Sequence, residues 1–415
     1  MRKTTAESCT NEKADKSAPD AASFETQIHK QSVAVTWQFP VVFTKDLFNP
    51  HNPVLCQTIT ELEPDKRHRL LIFIDEGVVK ADDSLLDRIT AYLDHYRAEL
   101  ELVCEPIALP AGEVIKNDLH YVERMQNAVH ENRIDRHSYV IGIGGGALLD
   151  AVGLVAATSH RGIRHIRIPT TVLAQNDSGV GVKNGVNLYG QKNYVGTFAP
   201  PFAVLNDYKF IETLPQRDKI AGMAEAVKVG LIRDQEFFHW LEKSADSLVT
   251  FEAEAMRHMI KRCAELHMHQ ISNGGDPFET GSARPLDFGH WAAHKLEILT
   301  KHRLRHGEAV AIGIALDTRY SVITGLLDKG AEERVCFLLE HLGFKLWHSA
   351  LVSKNAEGKL ELLAGLADFR EHLGGELTIT LLAGLGEGVE VNQMQEQAVA
   401  ESIEWLKTRN ASSSP

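Results

Sequence analysis

The chain has 415 residues and a formal charge of −12, from 44 basic and 56 acidic side chains. That balance makes the chain a poor candidate for sequence-independent binding to nucleic acid, which needs a basic surface to neutralise phosphates. An apolar fraction of 44% and a charged fraction of 24% are ordinary for a globular protein, and the length suits two domains. The first stretch, MRKTTAESCTNEKADKSAPDAAS, has no apolar run and is no secretory signal. Residues 1–24 read as a disordered extension. Residues 25–210 read as a Rossmann-like, doubly wound α/β nucleotide-binding domain. Its evidence is the apolar runs Leu70–Asp75, Tyr139–Ile143 and Ile166–Ile168, which read as buried parallel strands. Helical patterns at Ser84–Leu100 and Leu119–Asn132 lie between them. Val33–Val42 is β-prone and predicts an early hairpin. Tyr139–Thr158 is apolar but holds five glycines and Asp150, so strand, turn and helix fit it better than a membrane span.

From Leu214 onward the spacing is helical, over Ala221–Leu241, Ala253–Ser272, Phe288–Leu299 and Glu308–Ile323. Residues 211–408 therefore read as a mainly helical domain, with one strand at Leu377–Leu382 and a loose tail over 409–415. The five cysteines are scattered, with no CxxC pair, which fits reduced thiols in a cytoplasmic setting.

The chemistry concentrates in Arg167–Gly196, RIPTTVLAQNDSGVGVKNGVNLYGQKNYVG. Two lysines, an aspartate and four asparagines among small residues make sense as a cradle for a phosphorylated polyol. Upstream, GIGGGALLDAVG over Gly142–Gly153 follows a strand and opens a helix. Its glycines admit a pyrophosphate to a helix N-terminus, although the spacing is not GxGxxG. Pro110-Ala111-Gly112-Glu113 with Lys116 is a second polar turn at a strand end.

Downstream, His290 and His294 share a helix face at i, i+4, and His306 opens HGEAVAIG. Glu225 and Lys228 lie i, i+3 in AGMAEAVKVG. One Glu and two His make a catalytic zinc set with positions open for oxygen ligands. Spacing leaves two pairs, His290 with His294 and His290 with His306.

The order GGGxxxDxxGxxA, PTTxLAQxDSxVGxK, KNxxG, AExxK, GHxxxH and HGEAVAIG resembles the 3-dehydroquinate synthase-like sugar phosphate cyclases, from about Asp75 to Gly386. The resemblance implies NAD along Asp75, Glu113, Lys116, Gly145, Gly146, Asp150, Thr170, Thr171, Thr213 and Leu214. It implies zinc or cobalt on Glu225, His290 and His306, which frees His294 for phosphate. Asp177, Lys183, Lys192, Asn193 and Lys228 would line the substrate. Lys183, Asn193, His294 and Arg370 would hold its phosphate, with Glu279, Arg284 and Asp287 also at the substrate. Arg161 matches a residue that reaches a neighbouring subunit's site, implying a homodimer. In this family NAD⁺ oxidises a ring hydroxyl, phosphate leaves by β-elimination, the hydride returns, and the opened ring closes in an aldol step.

The resemblance is imperfect where a substrate carboxylate would bind. The 3-dehydroquinate synthases read close to GLRxLLNxGH before the first His, and this chain reads GSARPLDFGH. Their carboxylate-binding Arg aligns with Ala283, a phosphate-site Asn with Asp287, and a second basic residue with His269 or His267. Burying a carboxylate without its partner costs about 2–5 kcal/mol. Arg284-Pro285 looks like the 2-epi-5-epi-valiolone synthases, yet those lack the His that this chain keeps at His294. The expected substrate is a seven-carbon ketose 7-phosphate, leaning to sedoheptulose 7-phosphate. Two alternatives stand beside it: 3-dehydroquinate synthase activity on 3-deoxy-arabino-heptulosonate 7-phosphate, and a metal-dependent polyol dehydrogenase on the same architecture.

Overall fold

The computed structural model describes residues 27–279, 285–372 and 375–412. The extension expected over residues 1–24 lies outside the described residues, and residues 27–38 belong to a first unit and form neither helix nor strand. Residues 39–415 form the second unit, which holds every described strand and helix.

Nine strands come first. They are β1 Val41–Thr44, β2 His68–Asp75, β3 Leu100–Leu102, β4 Ile107–Leu109, β5 Tyr139–Gly144, β6 Arg164–Pro169, β7 Lys183–Leu188, β8 Gln191–Phe198 and β9 Ala203–Asp207. Seven make one sheet in the order β1-β9-β6-β5-β2-β3, with β4 pairing the far end of β2. All of its pairings are parallel, and Leu70–Ile74 runs in register with Tyr139–Ile143. Alternate residues bury on opposite faces. Leu70, Ile72 and Ile74 enter one core, Leu71 and Phe73 the other. A sheet wet on neither face needs helices on both, and the helices between the strands supply them.

The early hairpin expected over Val33–Val42 is absent among the described residues. Val41–Thr44 instead pairs in parallel with Ala203–Asp207, where Val41 and Phe43 pack against Val180, Val204 and Ala264. β7 and β8 form a separate antiparallel hairpin.

After β9 the chain is mainly helical, as expected. The helices that matter for the site are Gln216–Arg233, Ala253–Asn273, His290–Leu299 and His306–Ile323. They share a single apolar core. Two glycines set their spacing. A Cβ on Gly307 would lie 1.8 Å from Ala221 O, and one on Gly313 would lie 2.0 Å from Gly289 O. Only glycine permits backbones to approach this closely. The expected late strand appears as Ile379–Gly384, paired with Glu387–Val391. Of the tail expected to be loose over 409–415, residues 409–412 are helical instead and 413–415 lie outside the described residues. The helix Glu396–Ser412 runs through Arg409, whose guanidinium donates to both Glu340 oxygens at 2.8 Å. Among the described residues no helix is long and apolar enough to cross a membrane.

Candidate active site

Three helices bring Glu225, His290 and His306 together. His290 Nε2 lies 3.7 Å and His306 Nε2 3.6 Å from Glu225 Oε1. Glu225 is wholly buried, and neither of its oxygens accepts a well-directed hydrogen bond among the described residues. Its other oxygen abuts the Lys228 ammonium. Each imidazole turns its far nitrogen to an acceptor. His290 Nδ1 lies 3.1 Å from Phe288 O, and His306 Nδ1 lies 3.0 Å from Glu297 Oε2. A proton on Nδ1 leaves the Nε2 lone pair free to ligate. One carboxylate and two imidazoles, buried and convergent, suit a divalent cation such as zinc.

His294, Glu297 and His306 form an overlapping cluster. It is the weaker donor set. Glu297 already faces the Lys192 ammonium at 3.0 and 3.2 Å and the His306 Nδ1 side, so a cation there would have to displace Lys192. Of the two histidine pairs left open by spacing, His290 with His306 is the one that converges on Glu225. His294 is not among the groups that converge on Glu225, although its ring centroid lies 5.5 Å from His290 and 6.0 Å from His306.

Beside this cluster runs a row of buried charge. Burial opposes ionisation of Lys228 and Asp177, but each stays charged through the other and its neighbours. Glu225 and Asp177 hold the ammonium above its ordinary range, while His267 and Lys228 hold Asp177 well below its own. His267 Nδ1 lies 2.8 Å from Asp177 Oδ1. Burial also raises Asp287, yet His290, Lys183, Lys228 and His294 outweigh it and keep Asp287 ionised. Burial, then Lys192, pushes His294 well down, so it is a neutral imidazole. Burial pulls His306 down, and Glu297 and Glu225 pull it up further, to about 9; a bound cation would displace the Nε2 proton that faces Glu225.

Asp177 sits on a π-helical turn, Ala174–Ser178, a geometry common at functional sites. Its neighbours hold that turn. Gln175 Nε2 donates to Pro169 O and Asp207 O at 3.0 and 2.8 Å, and Asn176 Nδ2 to Gly222 O at 2.8 Å. The fully buried Arg167 fastens the chain just beyond the turn, donating to Gly181 O, Lys183 O and Asn184 Oδ1 at 2.9, 2.9 and 2.6 Å. The amides expected to form a sugar cradle therefore divide. Asn176, Asn184 and Asn187 are buried fasteners, and Asn193 is the one whose amide meets a candidate ligand-binding cation, Lys116.

The nucleotide residues gather at the carboxyl ends of β2 and β5, where ligands bind in doubly wound sheets. Gly145 and Gly146 lead into the helix Gly146–Thr158, and a Cβ on Gly146 would lie 2.4 Å from Ser178 Oγ. The buried Thr170 hydroxyl has no partner among the described residues, and Thr171 Oγ1 accepts from Ala174 N at 3.1 Å. Asp75 caps its helix through Gly77 N at 2.7 Å, and Lys116 pairs with Asp150 at 2.7 Å. A glycine-lined helix start with an orphan hydroxyl suits a dinucleotide pyrophosphate. Glu113 joins this set to the other cluster, lying 3.6 Å from Lys192 and accepting from Asn187 at 3.2 Å.

Lys183 pairs with Glu279 at 2.5 Å. Thr213 and Leu214 come after the short helix Lys209–Glu212, Thr213 bonding back to Phe210 O and Leu214 packing on the helical core. Arg370 is exposed on Ala364–His372, a helix whose Gly365 packs against Lys295 and Trp291 of the His290 helix. Arg161 is exposed with φ 63°, directly after His160 at 52°. Ala283 and Arg284 lie outside the described residues. Of the two histidines aligned with a lost basic residue, His267 faces the site and His269 is exposed. Sequence reasoning missed Arg167 and Glu297. Glu297 was findable, since it lies on the face of His290 and His294 at i+7 and i+3.

The family models for the 3-dehydroquinate synthase N-terminal and C-terminal regions match residues 106–221 and 222–365. A 3-dehydroquinate synthase of Halorhodospira halophila is 36% identical over 340 residues, which is 80% of this chain and 93% of that one. A 2-epi-5-epi-valiolone synthase of Streptomyces glaucescens is 32% identical over 361 residues, 86% of this chain and 88% of that one. The solved structure of ValA, the 2-epi-5-epi-valiolone synthase of Streptomyces hygroscopicus subsp. jinggangensis with NAD⁺ and Zn²⁺ bound, has a TM-score of 0.80 at 30% identity, covering 92% of this chain and 99% of that one.

Proposed function

The chain belongs to the 3-dehydroquinate synthase family of sugar phosphate cyclases, and from that premise we propose that it is a phosphate-eliminating lyase that cyclises sedoheptulose 7-phosphate to a valiolone-type cyclitol. The observation that supports the substrate choice is the loss of the basic pair expected for a substrate carboxylate: Ala283 stands where the arginine would, and His267 is paired with Asp177 at 2.8 Å. A neutral heptulose asks for no further cation there.

NAD and a divalent metal would supply reversible hydride uptake and polarisation of substrate oxygens. Glu225, His290 and His306 would hold the metal. The set from Asp75 through Glu113, Lys116, Gly145, Gly146, Asp150, Thr170 and Thr171 to Thr213 and Leu214 would hold the nucleotide. Lys228 and Asp177 orient the sugar hydroxyls between them. Lys183, Asn193, His294 and Arg370 receive the phosphate, and Lys183 exchanges its Glu279 partner for it. Lys192 keeps its charge at the cleft through Glu297 and Glu113. Arg161, exposed on a strained backbone, is assigned to the site of a second copy in a homodimer. The free cysteines Cys56, Cys104, Cys263 and Cys336 suit a cytoplasmic setting.

A 3-dehydroquinate synthase reading is favoured by the 36% identical relative and by the presence of His294. The test of class is phosphate release from sedoheptulose 7-phosphate by protein loaded with NAD⁺ and zinc. Phosphate without lasting NADH supports a cyclase. Lasting NADH from an unphosphorylated polyol, with no phosphate release, would make it a dehydrogenase.

A further inference from the structure

Glu297 belongs to neither the metal set nor the substrate set, yet it is buried between them at 3% exposure. Its Oε1 lies 3.0 Å from Lys192 Nζ, and its Oε2 lies 3.2 Å from the same ammonium and 3.0 Å from His306 Nδ1. A single oxygen thus serves both a lysine of the cleft and the far nitrogen of an imidazole whose Nε2 points at Glu225. The helix His290–Leu299 fixes Glu297 on the same face as His290 and His294. A buried carboxylate needs its charge neutralised and its lone pairs filled, and these two partners do both. An acceptor at Nδ1 holds the proton there, and so holds the ligating lone pair at Nε2.

We infer that Glu297 is a positioning residue that fixes His306 as a metal ligand and Lys192 as a cleft cation through one carboxylate. The inference rests on the metal reading above. Glu297→Gln keeps the shape but has one acceptor oxygen for two donors, so one of them loses its partner.

The test is zinc affinity, measured by competition with a chromophoric chelator, together with the visible spectrum of the cobalt-loaded protein. Wild type, Glu297→Gln and Lys192→Met are compared. Glu297→Gln should bind zinc about 10–100-fold more weakly and shift the cobalt bands, with its circular dichroism unchanged. Lys192→Met, which keeps the carboxylate on His306, should hold zinc at least as tightly as wild type. Should Glu297→Gln fail to fold, Glu297→Asp retains the charge but is too short to reach both partners, and it should show the same loss. Wild-type zinc affinity and spectrum in the folded Glu297 variant would overturn the inference. Equal loss in Lys192→Met would also overturn it. A wild-type protein that binds no zinc would instead overturn the metal reading itself.

Discussion

Arg167 donates to Asn184 Oδ1 at 2.6 Å, and through that bond the strand that begins with Lys183 is fastened to the parallel sheet. The same guanidinium reaches Gly179 O, Gly181 O and Lys183 O. It lies beneath the segment that carries both Asp177 and Lys183, so it sets their separation without touching either side chain. Arg167→Met should destabilise the protein by at least about 3 kcal/mol, because several buried carbonyls lose their donor. Urea unfolding would measure it, and a wild-type midpoint would contradict this role.

Gly307 tests how the metal set is assembled. Its Cα faces Ala221 O so closely that a methyl would collide at 1.8 Å. Gly307→Ala must push the His306 helix away from the Glu225 helix. The expected cost is about 1–3 kcal/mol, with zinc stoichiometry falling below wild type. Full zinc content in this variant would mean that the two helices have slack the packing does not suggest.

Metal removal gives a third prediction. A cation bound only by the native state stabilises by mass action, about 2.7 kcal/mol at a hundred times its dissociation constant. Chelation should therefore lower the melting temperature, and added zinc should restore it. In His306→Ala zinc should restore nothing, while the fold survives. A zinc-dependent melting temperature in His306→Ala would remove His306 from the ligand set.

Asp317 predicts a pH dependence. It is wholly buried, accepts from Trp291 Nε1 at 2.9 and 3.1 Å, and burial pushes its carboxyl up to about 7 against those bonds. An unfolded Asp titrates near its ordinary value of about 4. Between the two, the native state keeps a proton that the unfolded state has released. This group's contribution therefore falls as pH rises from about 4 to about 7, by a few kcal/mol in order of magnitude. Unfolding midpoints of wild type and Asp317→Asn across that window would check it. Asp317→Asn should be flatter with pH, and equal slopes would refute the assignment.

Much of this was legible in the sequence because the strands are continuous apolar runs and the helices carry a clear period. Leu70–Asp75 and Tyr139–Ile143 could hardly be anything but buried strands. The metal set was only half legible. Spacing sees His290 and His294 on one helix, whereas the His306 that the geometry selects arrives on another helix through the Gly307–Ala221 approach. The amides of the 167–196 segment misled for a similar reason. Composition marks them as polar, but only the fold reveals that Asn176 and Asn184 spend their hydrogen bonds on backbone and on Arg167. Glu297 shares a face with His290 and His294, but its partner Lys192 lies 105 positions away, and Arg167 stayed hidden because most of its acceptors are backbone carbonyls, which composition does not mark. The hairpin expected at Val33–Val42 failed because β-propensity cannot choose between a local partner and the distant edge at Val204.

The central claim is the choice of a neutral sugar, and one comparison tests it most directly. Phosphate release is measured with sedoheptulose 7-phosphate and with 3-deoxy-arabino-heptulosonate 7-phosphate in separate reactions, each with NAD⁺ and zinc, and each product is identified by NMR. The account predicts a higher kcat/KM for sedoheptulose 7-phosphate and a valiolone-type cyclitol. Preferred turnover of the acidic sugar to 3-dehydroquinate would contradict it, and would mean that a cation such as Arg284 meets the carboxylate despite the alanine at Ala283.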